Sequence, residues 1–308
     1  LPPGAHWPRT RARGGRVLLM VGAAAAPARR DRALVRARPE QMQERLSSMR
    51  RQIRENGVTY NVYADPRGVE RPWELDALPL IIPPDEWEQI SGAIAQRAEL
   101  LNRILLDVYG PQQMLEEGLL PPALIYGHSG FLRPCHGMAV PGNIHLHLYA
   151  ADLARSPDGR WWVLNDRTQA PSGAGYSLEN RLVISRIFSE QFRDLRVEHL
   201  ASFFATLRDT LAQHAPQSDG PPLIVLLTPG PYNETYFEHA YLARYLGFPL
   251  VEGSDLMVRD GCVWLKNLSG LRRVHVILRR LDDDFCDPLE LDGESAIGVP
   301  GLVEAARQ

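Results

Sequence analysis

The stretch "PPLIVLLTPGPYNETYFEHAYLARYLGFPLVEG", residues 221–253, carries the pattern that decides the fold. It reads as an apolar strand, a loop with Pro and Gly, a helix and a second strand. A strand–helix–strand unit of this kind joins two parallel strands by a right-handed crossover. The sequence therefore predicts a Rossmann-like parallel sheet in the last third of the chain.

Further helices and strands are predicted before and after this unit. Helices are predicted at 40–56, 85–109, 177–192 and 196–214, strands at 58–65, 274–280 and the start of 122–138, and hairpins at 143–166 and 256–266. The fold class is therefore mixed, with an α+β part over 41–215 and an α/β part over 216–308. An Arg- and Ala-rich irregular extension occupies 1–40, and "QSDGPP" (217–222) is the best boundary between the two parts.

Composition limits the kinds of partner and compartment. The net charge of -3 gives no reason to expect nucleic acid or an anionic membrane. The three cysteines lack metal-ligand spacing, which favours a reducing, cytoplasmic setting. Residues 11–28 have the outline of a signal peptide, so export is the alternative. We find no stretch long enough to span a bilayer.

A polar edge follows the strand in "WWVLNDRTQAPSGAGYSLENR", residues 161–181. Counting back across the turn at 156–159 places Asp152 near opposite Asn165. A carboxylate beside an amide oxygen offers hard ligands of the kind that Mg²⁺ prefers. The alternative is an ordinary hairpin whose polar edges are solvated.

The turn after this strand predicts an anion site. Ser172, Gly173 and Gly175 let backbone N–H groups approach a ligand, and the helix expected from about Ser177 adds its positive end. A capped helix without a ligand is the alternative interpretation.

Three other patterns each have a functional and a structural interpretation. The loop in 228–239 follows a strand, where open α/β sheets bind ligands, but it also fits a plain connection. The acidic run in 279–290 is either a solvated turn or a substrate or metal edge. His145 and His147 share a strand face and could form a metallohydrolase site with Asp152, although no third ligand is fixed. Cys135 beside His136 is a weaker candidate nucleophile.

Long strings of the sequence resemble one family of bacterial proteins. They are "ENGVTYNVYADP", "GHSGFLRPCHG", "DRTQAPSGAGYSLENR", the 228–256 segment and "RRLDDDFCDPLEL…GVPGL". These strings are similar to those of the circularly permuted ATP-grasp type 2 proteins, which are distantly similar to glutathionylspermidine synthetases. The resemblance runs from about Arg51 to the C-terminus and does not cover residues 1–40.

The resemblance implies an ATP- and Mg²⁺-dependent ligase that joins a carboxylate to an amine through an acyl phosphate. Asp152 matches a catalytic and metal-binding Asp of the synthetases. Ala150 stands where they have Arg, Asn165 where they have Glu, and Arg167 where they have Asn. These departures put the number of bound metal ions in doubt.

The implied site combines three roles: catalytic (Asp152, Arg167), metal-binding (Asp152, Asn165), and substrate- or phosphate-binding (Ser172, Gly173, Arg280, Asp282). The last two residues are expected at the rim for the substrate, which is a small-molecule or peptide carboxylate and an amine. A non-catalytic ATP-grasp-like scaffold is the main alternative, and a His-dependent metallohydrolase is a weaker one.

The family's Gly-rich, lysine-bearing ATP-clamping segment is expected after "GVPGL" (298–302), and this chain ends at Gln308. Its only lysine is Lys266. We therefore expect an incomplete ATP-grasp, the N-terminal portion of a ligase, which by itself is inactive and binds ATP weakly or not at all.

Overall fold

The computed structural model describes residues 39–61, 73–76, 79–218 and 220–308. Its helices are α1 (Pro39–Glu55), α2 (Pro84–Val108), α3 (Gln113–Glu116), α4 (Pro122–Tyr126), α5 (Ala174–Ile187), α6 (Ser189–Asp194), α7 (Ala201–Gln213), α8 (Tyr236–Leu246) and α9 (Leu302–Arg307). Its strands are β1 (Ala150–Arg155), β2 (Trp161–Arg167), β3 (Ile224–Leu227), β4 (Leu250–Val251), β5 (Leu256–Arg259), β6 (Cys262–Asn267), β7 (Gly270–Val274) and β8 (Val276–Arg279).

A parallel sheet with the strand order β4-β3-β8 forms the centre of the fold. Leu226 of β3 pairs with Leu250 on one side and with Leu278 on the other. All four residues of β3 are buried, as an apolar strand covered on both faces should be. Because α8 connects β3 to β4, the strand–helix–strand prediction is confirmed.

The side chains of β3 alternate between two hydrophobic clusters. Ile224 and Leu226 pack with residues of α5, α7 and α8. Val225 and Leu227 pack with the antiparallel sheet β5-β6-β7 on the other face. Full burial of an aliphatic side chain contributes about 1.5–3 kcal/mol, so these contacts fix the position from which the loop after β3 departs. The first cluster contains residues from both sides of residue 215, and the proposed division into parts remains a prediction.

The hairpin predicted about Asp260-Gly261 is confirmed as β5 and β6, and both residues adopt positive φ, 51° and 69°. A third antiparallel strand, β7, was not predicted as a separate element. The strand expected over 274–280 is divided, because Val274 ends β7 whereas β8 begins at Val276 and joins the parallel sheet.

The hairpin predicted over 143–166 is confirmed as β1 and β2, but β1 begins only at Ala150. The side chain of Asn102 on α2 explains the shorter strand. Its Oδ1 accepts the amide hydrogens of His145 and Leu146, and its Nδ2 donates to the carbonyl of Asn143. These backbone groups therefore bond to a helix side chain instead of a neighbouring strand.

The strand expected at the start of 122–138 is wrong, since α4 occupies that position. Pro122 is the first residue of the helix, where a missing N–H is harmless. The hydroxyl of Tyr126 then donates to Oε1 of Gln112 at 2.6 Å and ties the short helix to the preceding turn.

The other boundaries differ from the sequence predictions in smaller ways. The helix predicted from Ser177 begins three residues earlier, in α5, and breaks at Phe188 before α6. Residues 58–61 form no regular strand, and the rest of the predicted strand at 58–65 lies outside the described residues. Residues 1–38 of the predicted extension also lie outside them. No helix in the described part of the chain combines the length and apolar composition that a bilayer crossing requires.

Candidate functional site

An open cleft of about 640 Å³ lies where β2 ends. Its lining is Asn165, Asp166, Arg167, Thr168, Gln169, Ala170, Pro171, Ser172 and Asp282. Four of the residues predicted for the site, Asn165, Arg167, Ser172 and Asp282, are therefore brought together around one space. We refer to residues 168–173, between β2 and α5, as the cleft turn.

The predicted pairing of Asp152 with Asn165 is confirmed by the register of the hairpin. Arg167 also reaches Asp152, because its Nε donates to Oδ2 at 3.0 Å and its Nη2 lies 3.0 Å from the same oxygen. The two side chains remain 47% (Arg167) and 42% (Asp152) exposed. A carboxylate and a guanidinium are thus in contact at the exposed end of the hairpin, and Asn165 occupies the position paired with that carboxylate.

Asp166 anchors β2 to α2 and was not identified from the sequence. Arg97 donates to both of its oxygens, from Nε at 2.6 Å and from Nη2 at 2.5 Å, and the hydroxyl of Tyr149 donates to Oδ1. The hydrogen bond from Arg97 lowers the pKa of Asp166. Burial, followed by the hydrogen bond to Asp166, raises the pKa of Tyr149 to about 12. The cleft side of the hairpin is therefore held in one orientation.

The Gly-rich turn before α5 predicts a bound anion at the start of this helix. The anion found there is a side chain of the protein itself. Glu238 accepts the amide hydrogen of Gly173 at 2.8 and 3.0 Å and that of Gly175 at 2.8 Å. Its side chain is fully buried on the first turn of α8. Gly173 therefore presents its N–H to Glu238 in this structure.

Arg280 lies beside this carboxylate, so its expected placement at the rim is wrong. Its side chain is 4% exposed, and its Nη2 is 3.8 Å from Oε2 of Glu238. The same Nη2 donates to the carbonyl of Pro171 at 2.9 Å, and its Nε is buried without a hydrogen-bond partner. Burial lowers the pKa of Arg280, and Glu238 opposes that shift.

The loop after β3, a candidate ligand loop in the sequence, is fixed by His239. Nδ1 of this ring is 2.9 Å from the hydroxyl of Thr228, and Nε2 is 3.1 Å from that of Thr235. Burial, assisted by Arg280, lowers the pKa of His239 to about 3. Glu238 and His239 are adjacent polar residues on a helix that packs into the core. Their position on such a helix is the one sequence signal that points to them.

The acidic side chains that follow β8 lie in different environments. Asp282 lines the cleft. Burial raises the pKa of Asp283. Asp287 is fully buried, and its carboxylate accepts amide hydrogens from Gly301 at 3.0 Å and from Val303 at 2.9 Å, at the start of α9. Backbone amides therefore compensate the negative charge of Asp287, and Arg307 pairs with Glu290.

Other candidate centres receive less support from the geometry. The described residues contain no group of three or more His, Cys, Asp or Glu side chains that could hold a metal ion. His145 stacks on Tyr109, and His147 lies edge-on to His214. Burial raises the pKa of the Cys135 thiol, which is the opposite of what an activated nucleophile requires.

Asp152 and Asn165 fit a Mg²⁺ ion that arrives with phosphate, since such ions are commonly held by one or two carboxylates and retain ligands from the phosphates. They do not form a complete protein cage for a metal. The guanidinium of Arg167 on Asp152 lowers the negative charge available to an ion, and phosphate oxygens would offer that guanidinium another partner.

The comparisons with known proteins show an ATP-grasp fold of the ligase-like type. A glutathione synthetase-like effector from Globodera pallida, solved in its apo form, is similar with a TM-score of 0.55. The similarity covers 88% of this chain and 64% of that chain at 17% identity, and it concerns the fold alone. The chain belongs to the circularly permuted ATP-grasp type 2 family, whose model matches residues 79–308.

Relatives with higher sequence identity are longer than this chain. An uncharacterized protein of Mycobacterium tuberculosis is 46% identical over 76% of this chain and 26% of its own length. One from Synechocystis sp. is 43% identical over 82% of this chain and 52% of its own length. The chain therefore spans between about a quarter and about half of these relatives. Members of the ATP-grasp class generally use ATP and Mg²⁺ and act on small molecules.

Proposed function

We propose that this chain forms the part of an ATP-dependent carboxylate–amine ligase that carries the hairpin site. The main support is the cleft that Asn165, Arg167, Ser172 and Asp282 line, with Asp152 beside it on the neighbouring strand, where it pairs with Asn165 and bonds to Arg167. In the reaction, a carboxylate oxygen of the acid takes the γ-phosphoryl group of ATP and ADP leaves. The nitrogen of the amine then bonds to the acyl carbon, phosphate departs, and the amine loses a proton. The acid is an amino acid or a peptide.

Each side chain at the cleft has a role in this proposal. Asp152 and Asn165 supply oxygens to Mg²⁺, which neutralises phosphate charge when bound. Arg167 orients a phosphate or the carboxylate of the acid through its planar pair of donors. Ser172 offers a hydroxyl to the same groups, and Asp282 offers a carboxylate that can orient an amine.

A calorimetric titration with ATP, with and without Mg²⁺, tests the proposal on the full-length protein. We expect Mg²⁺-dependent binding, and ADP release when the correct acid and amine are present. Asp152→Ala should lower kcat/KM by roughly a hundredfold or more, because one charged group at a phosphoryl-transfer site contributes on that scale. Absence of both binding and ADP release across a panel of acids and amines would overturn the proposal.

Asp158→Ala is the matched control for this variant. Asp158 lies in the turn of the same hairpin and is 48% exposed, close to the 42% of Asp152, but its partner is Arg160. Activity should be unchanged in this variant.

A non-catalytic scaffold is the second candidate, and two observations favour it. The carboxylate of Asp152 is already paired with Arg167, and Ala150 stands where the related synthetases have Arg. Under this alternative, Asp152→Ala leaves the binding of a partner unchanged and no ADP is released by any variant.

A further inference from the structure

Glu238 belongs to the parallel-sheet part of the chain, but its carboxylate contacts the turn that lines the cleft. The first turn of α8 carries it, and α8 packs on the central strand. From there its oxygens accept the N–H groups of Gly173 and Gly175. Hydrogen bonds from backbone amides to a buried carboxylate are charge-assisted and are strengthened by the helix dipole.

The cleft turn has a backbone that needs such support. Ala170 has φ of +33°, in the left-handed region that residues with a side chain rarely adopt, and Gly173 has φ of +117°. A conformation of this kind persists only when surrounding contacts determine it. Arg280 adds a second contact by donating to the carbonyl of Pro171.

The carboxylate has little room to move away from the turn. A Cβ atom on Gly175 would lie 2.9 Å from Cγ of Glu238 and 3.4 Å from Cγ of Leu242. The two helices therefore approach each other through a glycine, and this close approach brings the carboxylate to the amides.

We infer that Glu238 is a positioning residue that holds the cleft turn, including Ser172, in the geometry that the nucleotide site requires. This inference rests on the proposed function, in which the cleft receives Mg²⁺·ATP. Glu238 touches no substrate in this scheme, because its oxygens already bond to backbone amides and its side chain is fully buried. It acts through the backbone that it orients.

Amide hydrogen exchange measured by NMR tests the positioning directly on the chain. In Glu238→Gln the acceptor loses its charge, so the amides of Gly173 and Gly175 should exchange roughly ten- to a hundredfold faster and should shift upfield. Unchanged exchange and unchanged shifts at both amides in a folded variant would overturn the inference.

Asp287→Asn is the matched control. Asp287 is also fully buried and also accepts amide hydrogens at a helix start, from Gly301 and Val303. This variant should speed exchange at those two amides and leave Gly173 and Gly175 unchanged. Faster exchange at all four amides in both variants would indicate general destabilisation and would contradict a local role for Glu238.

Binding of Mg²⁺·ATP to the whole polypeptide supplies the functional comparison. Glu238→Gln should raise the Kd for Mg²⁺·ATP by roughly tenfold or more, whereas Asp287→Asn should leave it unchanged. An equal weakening in both variants would overturn the inference. If the unaltered polypeptide does not bind Mg²⁺·ATP, the proposed function fails, and the exchange pattern still decides whether Glu238 holds the turn.

Gly175→Ala provides a second variant in case Glu238→Gln does not fold. Its methyl group presses on the side chain of Glu238 without removing either charge of the Glu238–Arg280 pair. We expect the same faster exchange at Gly173 and the same weaker binding of Mg²⁺·ATP. A folded Gly175→Ala with unaltered exchange at Gly173 would contradict the inference.

Discussion

Two arginine–carboxylate pairs serve the same turn in different surroundings. Arg167 and Asp152, which precede the turn, are 3.0 Å apart, with side chains 47% and 42% exposed. Arg280 and Glu238 bond to the backbone at the end of the turn. Nη2 of Arg280 is 3.8 Å from Oε2 of Glu238, and the side chains are 4% and 0% exposed. Solvent screens the first pair, so it contributes about 0–1 kcal/mol to stability, and breaking the second by removing one partner costs about 3–5 kcal/mol. The exposed pair is therefore available for chemistry, while the buried pair maintains the shape of the cleft.

The largest effect is expected for Arg280→Met. This change leaves the carboxylate of Glu238 buried without its cation and removes the hydrogen bond to Pro171. The free energy of unfolding should fall by about 3–5 kcal/mol, measured by urea denaturation at neutral pH with circular dichroism.

Arg272→Met on β7 is the control for this measurement, because Arg272 is exposed. Its free energy of unfolding should change by less than about 0.5 kcal/mol. A loss of under about 1 kcal/mol in Arg280→Met would mean that the buried pair contributes no more than the surface pair, and the comparison would fail.

His239, which lies near Arg280 of the buried pair, should also set part of the pH dependence of stability. Its pKa is lowered from 6.5 to about 3, because burial and the nearby Arg280 disfavour the charged ring. Below pH 6.5 the unfolded chain takes up a proton at this position and the folded chain does not, so folding is disfavoured as the pH falls. The contribution is complete above the unfolded pKa and is lost progressively between pH 6.5 and pH 3.

His239→Gln measures that contribution. From pH 6.5 to about pH 4.5, the unaltered chain should lose about 2 kcal/mol more stability than the variant does. Comparing the two chains removes the contributions of other histidines that titrate in the same range, including His145, His147 and His275, whose pKa values burial also lowers. Parallel pH profiles for the two chains would contradict this account.

The hairpin shows how far local pattern could predict the site. Counting residues across the turn at 156–159 placed Asp152 near Asn165, but the observed pair also depends on a register shift between Asp152 and Leu153 that counting does not predict. The strand–helix–strand pattern of residues 221–253 was sufficient to predict the parallel pairing of β3 and β4, because a crossover of this kind joins parallel strands.

The buried half of the site could not be predicted in the same way. Glu238 and Gly173 are 65 residues apart in sequence, and no local pattern encodes their contact. The Gly-rich turn predicted an anion correctly, but the sequence could not distinguish a ligand from an internal carboxylate. The family resemblance placed Arg280 at the substrate rim, whereas its contact with Glu238 places it inside.

Of the two arginine–carboxylate pairs, the exposed one should show the smaller effect on stability, and Asp152→Asn tests it. The substitution keeps the shape of the side chain and removes the charge that Arg167 contacts. The free energy of unfolding should fall by less than about 1 kcal/mol, and this small difference should shrink further in high salt, because an exposed pair is screened. Urea denaturation at low and high salt checks both points. A loss close to that of Arg280→Met would mean that the exposed pair holds the hairpin together, and any loss of Mg²⁺-dependent activity in variants of Asp152 would then reflect unfolding instead of chemistry.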